Sequence, residues 1–397
     1  MSHAPLDPTA SPLRVNWHHV LAIFVTSRLL LYGATLVLPY FFEPSVFSPG
    51  RAHEVNAADY WSRWDANWFN AIAQNGYSYQ ADEPSSVAFF PLLPMLIRTL
   101  CLVGIPAWVA GLIIANVCTL GLLLVFHQWI RHEFDSPAIA ETATALLAFC
   151  PQGAWFVLGY SEPLYLLTAV ATLAYARRAR WWTACLWGIA HGLTRSNGIT
   201  LALPLFCITA PTLLAAIRSH KPRDLIMPGL TTAAAWIGHA SYLIFLWARF
   251  GTWQANQITS KAGWGVSLAI DFHHLSQKIP GLGFQLFTHT LRREWIAWSW
   301  AIALAATLFA LAVFIGKRLP LFWAASLAAF WSLFLLTAEC DWLTGSMGRF
   351  AAALFPVAVA QALFAEKHRW AQPAFLAFNA GAAFINIALV FSGYHIV

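Results

Sequence analysis

Long apolar runs separated by short polar turns make up most of the chain. They predict helices near 18–39, 107–130, 138–158, 161–176, 181–194, 198–217, 226–250, 295–315, 320–337, 349–365 and 372–392. A membrane-spanning helix takes about 20 residues. The 181–194 run is shorter than that and crosses only if it continues through an irregular middle. Basic residues gather in the turns: Arg131; Arg177, Arg178 and Arg180; Arg218, Lys221 and Arg223; Lys317; and Lys367 with Arg369. The positive-inside rule puts these turns in the cytoplasm. An even number of crossings then separates any two of them, which requires that the 87–103 run does not span. Two prolines and Arg98 in that run agree, and residues 88–94 read as a lip or re-entrant segment. The expectation is an all-α polytopic membrane protein of about eleven spans, with its C-terminus outside.

No internal repeat or low-complexity linker interrupts residues 1–397, which read as one integral-membrane domain. Two long loops, 40–106 and 251–294, fall on the outer side, with the turns around Glu162, Arg195 and Arg349. Most acidic residues lie there too, among them Glu43, Asp65, Asp271, Glu339 and Asp341, so chemistry is expected on the non-cytoplasmic face. The first apolar run is followed by no small-residue cleavage site and reads as a retained helix.

Composition agrees. The chain is 59% hydrophobic and 10% charged, with mean hydropathy +0.59, whereas soluble domains are roughly a quarter charged. The net charge of +6 sits in short turns and carries no nucleic-acid signal. The 21 tryptophans and 29 phenylalanines suit aromatic belts at the bilayer interfaces. Cys101, Cys118, Cys150, Cys185, Cys207 and Cys340 are scattered without paired spacing, so neither a disulfide nor a metal site is inferred.

Candidate chemistry begins in the first outer loop, at Tyr60-Trp61-Ser62-Arg63-Trp64-Asp65-Ala66-Asn67-Trp68-Phe69. As one helix it has a polar face of Arg63, Asn67, Asn70 and Gln74 and an apolar face of Trp61, Trp68, Phe69 and Ile72. Asp65 falls on the apolar face, where a carboxylate needs a partner or a job. In a dry aromatic setting it would hold protons more tightly and could serve as general base toward a hydroxyl. The plainer reading pairs it with Arg63 or a helix-end amide.

Three further clusters stand at breaks between apolar runs. In Gly159-Tyr160-Ser161-Glu162-Pro163, Ser161 suits an N-cap and Glu162 the positive helix end, so a plain helix start explains them. In Thr194-Arg195-Ser196-Asn197-Gly198, Arg195 could hold a phosphate with paired donors, or merely snorkel to the interface. In Ser346-Met347-Gly348-Arg349-Phe350, the arginine is outside, against the charge trend, and a phosphate is its natural ligand. No Walker A, GxGxxG, HExxH or DxD pattern occurs, and His273-His274 lacks metal spacing. No soluble stretch is long enough for a nucleotide-binding domain, so an activated substrate would arrive as a lipid.

Taken in order, Ser62-Arg63-Trp64-Asp65-Ala66, Ala88-Phe89-Phe90-Pro91, Gly159-Tyr160-Ser161-Glu162, Arg195-Ser196-Asn197-Gly198 and Arg349-Phe350 resemble the motifs of the PIG-V mannosyltransferases. These belong to the GT-C superfamily of polytopic glycosyltransferases. The resemblance implies a polyprenyl- or dolichyl-phosphate sugar as donor, a glycolipid or glycan acceptor, transfer of mannose with inversion, and work on the extracytoplasmic or lumenal face. Asp65 matches the acidic base in the first outer loop. The chain lacks the long loops of eukaryotic members, which points to a prokaryotic relative; the resemblance implies the cytoplasmic membrane for a prokaryotic protein and the endoplasmic reticulum membrane for a eukaryotic one. On this reading Arg195 and Arg349 stabilise the leaving lipid phosphate, and Arg63, on the opposite helix face, is the weaker candidate. Glu162 and Asn197 order the acceptor or the arginines, residues 88–94 and 251–294 shape a lipid entrance, and no metal is required. The alternative is a transporter or lipid flippase, which predicts inverted repeats with broken helices at matching places. One such break is visible, near 181–217, and no counterpart.

Overall fold

A computed structural model describes residues 16–42, 44, 50–265, 267–268, 291–338 and 347–393. Glu43, Asp271, His273, His274, Glu339, Cys340, Asp341 and Ser346, and all of the 269–290 stretch of the second outer loop, lie outside the described residues. The helices in chain order are α1 (Trp17–Val37), α2 (Ala57–Trp61), α3 (Asp65–Asn75), α4 (Leu92–Cys101), α5 (Ala107–Phe134), α6 (Pro137–Ala148), α7 (Glu162–Arg177) and α8 (Trp181–Gly192). There follow α9 (Ala202–Arg218), α10 (Arg223–Phe250), α11 (Ala255–Trp264), α12 (Leu291–Gly316), α13 (Phe322–Leu336), α14 (Met347–Phe350), α15 (Pro356–Lys367) and α16 (Ala371–Phe391). Short 3-10 turns at Pro151–Phe156, Ser196–Leu201 and Ala351–Leu354 join several of them. A two-residue antiparallel pairing of Ser267–Leu268 with Thr337–Ala338 is the only strand contact among the described residues.

Among the described residues six helical segments are long and apolar enough to cross a bilayer: Trp17–Phe41, Ala107–Phe134, Ser196–Arg218, Arg223–Phe250, Trp298–Gly316 and Ala371–Phe391. The protein is an integral membrane protein. The other five predicted spans are shorter or broken helices. A 12-residue helix such as α8 reaches only about 18 Å of the roughly 30 Å apolar thickness. The predicted 138–158 helix stops at Ala148 and tightens into a 3-10 turn. The 349–365 run is split in the same way by Ala351–Leu354. The 87–103 run does not span: α4 has 10 residues, and a 3-10 turn at Ser86–Ala88 precedes it.

Local chemistry explains these starts and crossings. The Ser136 hydroxyl accepts from the Ile139 amide and Pro137 opens α6, a serine cap with proline in the first turn. α8 and α10 cross with their backbones almost in contact. A methyl group at Gly192 would fall on the Ala235 carbonyl, and one at Gly238 on the Ile189 carbonyl. The start of the 88–94 segment, with Val87 before it, is held by side chains of other segments. Tyr242 donates to the Val87 carbonyl at 2.8 Å, Asn256 to Val87 and Ala88 at 2.9 and 3.0 Å, and Tyr77 to Phe89 at 2.9 Å. At the other end of the bundle Arg177 is no free turn cation. It makes a two-pronged ion pair with Glu133, at 2.6 and 3.1 Å, and both side chains are almost fully buried.

Candidate active site

The tryptophan-rich stretch is not one helix. α2 ends at Trp61, α3 begins at Asp65, and Trp64 between them has φ of 47°. A bulky residue in the left-handed region costs of order 1–3 kcal/mol and persists only when its surroundings hold it there. The brace is Arg63. Its Nε donates to the Tyr60 carbonyl at 2.9 Å and its Nη2 to the Gly50 carbonyl at 3.0 Å. Its guanidinium lies 4.8 Å from the Tyr60 ring centre and 5.1 Å from that of Phe391. Burial lowers its pKa to about 10, so it remains a cation at neutral pH. Asn70 ties the far side of the kink by donating to the Ser62 hydroxyl at 3.0 Å.

The kink puts Asp65 at the first position of α3 rather than on a helix side. Glu162 is likewise the first residue of α7. Both carboxylates therefore sit at the positive end of a helix dipole. Between them lies Arg349. Its Nη1 donates to Asp65 Oδ2 at 2.5 Å and its Nε to Glu162 Oε1. Arg195 reaches the same Glu162 oxygen through Nη1, which also contacts the Ser161 hydroxyl at 3.3 Å. The partner that a carboxylate in this position needs is thus Arg349, and the expected apolar setting of Asp65 is replaced by an ion pair. Ser161 does not cap α7 with its side chain as expected; the hydroxyl faces Arg195 instead.

The side chains of Glu162 and Arg349 are 3% and 6% exposed, while Arg195 and Asp65 keep 13% and 20%. Access to the cluster is therefore through Asp65 and Arg195. No described residue hydrogen-bonds Oδ1 of Asp65, Nη2 of Arg349, or Nε and Nη2 of Arg195. Two carboxylates balance two guanidiniums; Glu162 Oε2 is buried without a hydrogen-bond partner, while the partly exposed Asp65 offers Oδ1 to a guest, beside several N–H donors. Such a set can accept a proton on one side and bind an anion on the other.

Aromatic rings line the arginines. Arg349 lies 4.7 Å from the Tyr160 ring centre and Arg195 lies 5.0 Å from that of Phe350. The Tyr160 hydroxyl donates to the Arg63 carbonyl at 3.2 Å, which couples this floor to the α2–α3 kink. Burial and the neighbouring Asp65 hold the Tyr160 phenol well above its usual pKa, so it stays a neutral donor. The sequence motifs contain Tyr160 and Phe350 but give neither a role; Tyr160 stands two positions before Glu162 and Phe350 directly after Arg349. Arg63 and Asn197 are not in the cluster. Arg63 is 2% exposed and spent on backbone carbonyls. Asn197 has a buried Oδ1 with no hydrogen-bond partner, and its carbonyl accepts from Thr200. Among the described residues no three His, Cys, Asp or Glu side chains gather as a metal site.

Residues 19–232 match the family described as Mannosyltransferase (PIG-V). GPI alpha-1,6-mannosyltransferase 2 from Mus musculus is 30% identical over 149 residues, 35% of this chain and 29% of that one. The Rattus norvegicus enzyme of the same name is 28% identical over 208 residues, 45% and 40% of the two chains. GPI mannosyltransferase 2 from Cryptococcus neoformans is 30% identical over 155 residues, 36% of each. This chain thus spans well under half the length of these relatives. An oligosaccharyltransferase structure from Archaeoglobus fulgidus superposes with a TM-score of 0.47 at 16% identity, over 94% of this chain and 53% of that one. The family match runs from α1 into α10, takes in Asp65, Glu162 and Arg195, and covers more than half of the 397 residues, so the chain belongs to the PIG-V mannosyltransferase family.

Proposed function

We propose that this protein is an inverting glycosyltransferase. It moves a hexose, mannose by its family, from a polyprenyl- or dolichyl-phosphate donor to a hydroxyl of a glycolipid or glycan acceptor. The observation that carries the reading is the pairing of Asp65 with Arg349, which leaves Asp65 Oδ1 without a described partner and partly exposed.

Asp65 takes the proton from the acceptor hydroxyl, whose oxygen attacks the anomeric carbon. The bond from that carbon to the phosphate oxygen breaks, and the lipid phosphate leaves with the electron pair. Negative charge therefore passes from Asp65 to the leaving phosphate as the reaction proceeds. Arg349, held between Asp65 and Glu162, stands where it can follow that charge without large movement, and Arg195 offers further donors. Such preorganised stabilisation suits a phosphate, a weak base that needs charge compensation more than a proton. Glu162 positions both arginines, and no metal is given a role. The cluster stands at the end of α7 opposite Arg177 and Arg178. With those residues cytoplasmic under the positive-inside rule, the reaction takes place on the extracytoplasmic face.

The test is transfer of radiolabelled mannose from polyprenyl-phosphate-mannose in membranes expressing wild type or Asp65→Asn. The amide keeps the shape and loses the base, so the variant should insert normally and lose about 10²–10⁴-fold in rate. Equal transfer by both proteins would make Asp65 structural and sink the assignment.

A further inference from the structure

Three aromatic rings from separate segments meet one helical turn from the Asp65 carboxylate. Trp68 stands three residues after Asp65 in α3, about 4.5 Å along the axis and on the same flank of the helix. Its indole stacks on Phe89, with ring centres 5.5 Å apart and planes 19° from parallel. Trp264, the last residue of α11, stands across both rings. Its centre is 5.8 Å from that of Trp68 and 5.6 Å from that of Phe89, at interplanar angles of 66° and 82°. All three residues are half-buried, so the corner they form is open on one side.

Backbone ties hold this corner in place. Thr259 of α11 accepts from the Ser85 amide at 2.8 Å and donates to the Glu83 carbonyl at 2.8 Å. Gly263 lies so close to Pro84 that an added methyl would stand 3.0 Å from it. Beyond Phe89, the Leu92 amide donates to the Leu193 carbonyl at 3.0 Å, two residues before Arg195. The aromatic corner therefore shares its frame with both ends of the ion-pair cluster. α3 links it to Asp65, and the 89–92 segment links it to the turn that carries Arg195.

The surroundings say which guest fits. Asn67 beside Trp68, Asp82 and Glu83 beside Pro84, and Lys261 one turn before Trp264 are all exposed. Charges against hydrocarbon are costly, so this rim faces water rather than lipid tails. Among the described residues nothing accepts from Trp68 Nε1, and that nitrogen is not sealed from solvent. An isoprenoid chain laid on the indole would leave the N–H unmet. A pyranose suits both features: the C–H groups of one face pack on an aromatic ring, and its hydroxyls accept from the indole N–H.

We infer that Trp68, Phe89 and Trp264 form the acceptor subsite, and that the acceptor presents a pyranose whose apolar face lies on Trp68 with its reacting hydroxyl at Asp65. The inference rests on the transferase reading for the role of Asp65. It adds that the attacking hydroxyl belongs to a sugar ring, and it names the side chains that hold that ring.

The experiment uses full-length protein in phosphatidylcholine vesicles, with polyprenyl-phosphate-mannose as donor and hexyl mannopyranoside as the acceptor probe. Trp68→Leu keeps an apolar side chain but loses the ring. It should raise the KM for the glycoside about tenfold while donor KM and kcat stay near wild type. Trp68→Phe keeps a ring and should stay within about threefold of wild type. Should Trp68→Leu fail to fold, Trp264→Leu, at the end of a short outer helix, carries the same test, and size-exclusion elution checks each protein. Unchanged acceptor KM in both leucine variants overturns the inference, as does a rise in donor KM alone. Equal effects of leucine and phenylalanine at position 68 would mark a packing role and overturn it too. Equilibrium dialysis of radiolabelled hexyl mannopyranoside, with no donor present, reads binding separately from turnover. Wild type that binds the glycoside through Trp68 but transfers no mannose overturns the transferase reading and leaves the sugar site standing. Wild type that transfers mannose with binding and KM indifferent to residues 68 and 264 overturns the site and leaves the transferase reading standing.

Discussion

Arg349 is the residue on which the cluster turns. It bonds to both carboxylates through different nitrogens, and only a planar guanidinium can hold two partners in that way. Lysine at this position keeps the charge but offers a single nitrogen in place of the planar fork, so it cannot keep both carboxylates where the separate Nε and Nη1 donors of Arg349 hold them. Arg349→Lys should therefore lower kcat by about 10²-fold or more, the scale for a lost preorganised donor, with little change in protein yield. Arg195 is more exposed and keeps free donors, so Arg195→Lys should act mainly on donor KM. Steady-state kinetics with varied donor separates the two; identical effects on kcat and KM would deny them different roles. Arg63 shows how little a motif says about a residue's place. It stands two positions before Asp65, yet its guanidinium holds the kink and never reaches the carboxylate.

Among the elements, the α8–α10 crossing is the most constrained. Gly192 and Gly238 each face a backbone carbonyl of the other helix, which cannot yield as a flexible side chain would. Either Gly→Ala change forces the helices apart and should cost about 1–3 kcal/mol. Gly33 in α1 is the control, because nothing lies within 4 Å of the position a methyl would take. Gly33→Ala should be neutral or mildly stabilising, since alanine favours helix by up to about 1 kcal/mol over glycine. Thermal unfolding in detergent reads both, and equal midpoints for all three variants would refute the crossing argument. The 3-10 turn Ser196–Leu201 follows this crossing directly, so α8–α10 packing also sets where Arg195 stands.

Across the whole molecule, α7 carries a buried ion pair at each end. Glu162 meets the arginines at the outer end, and Arg177 meets Glu133 at the other, where the Arg177 guanidinium also lies 5.0 Å from the Phe322 ring centre. The 16 residues of α7 separate them by about 22 Å. Breaking a buried pair by removing one partner costs about 3–5 kcal/mol because a charge is stranded. Glu133→Gln should thus lower the unfolding midpoint while transfer per folded molecule stays near wild type. A matching loss of kcat in correctly folded protein would show that the two ends of α7 are coupled.

The sequence by itself determined which segments are helical and that they belong in a membrane, because hydropathy and turn chemistry act over neighbouring residues. It also identified Asp65, Glu162, Arg195 and Arg349, since a charge between apolar runs stands out locally. The tertiary structure decided their company. Asp65 and Arg349 are 284 positions apart, and Glu162 and Arg349 are 187 apart. Nothing in one sequence records which helix ends meet, because that follows from packing many side chains at once. The continuous helix expected through Trp64 failed for the same reason. Its apolar spacing is helical, but bonds from Arg63 to the carbonyls of Tyr60 and Gly50 hold a backbone turn that local preference opposes. That turn makes Asp65 the start of a helix and aims it at an arginine from the far end of the chain.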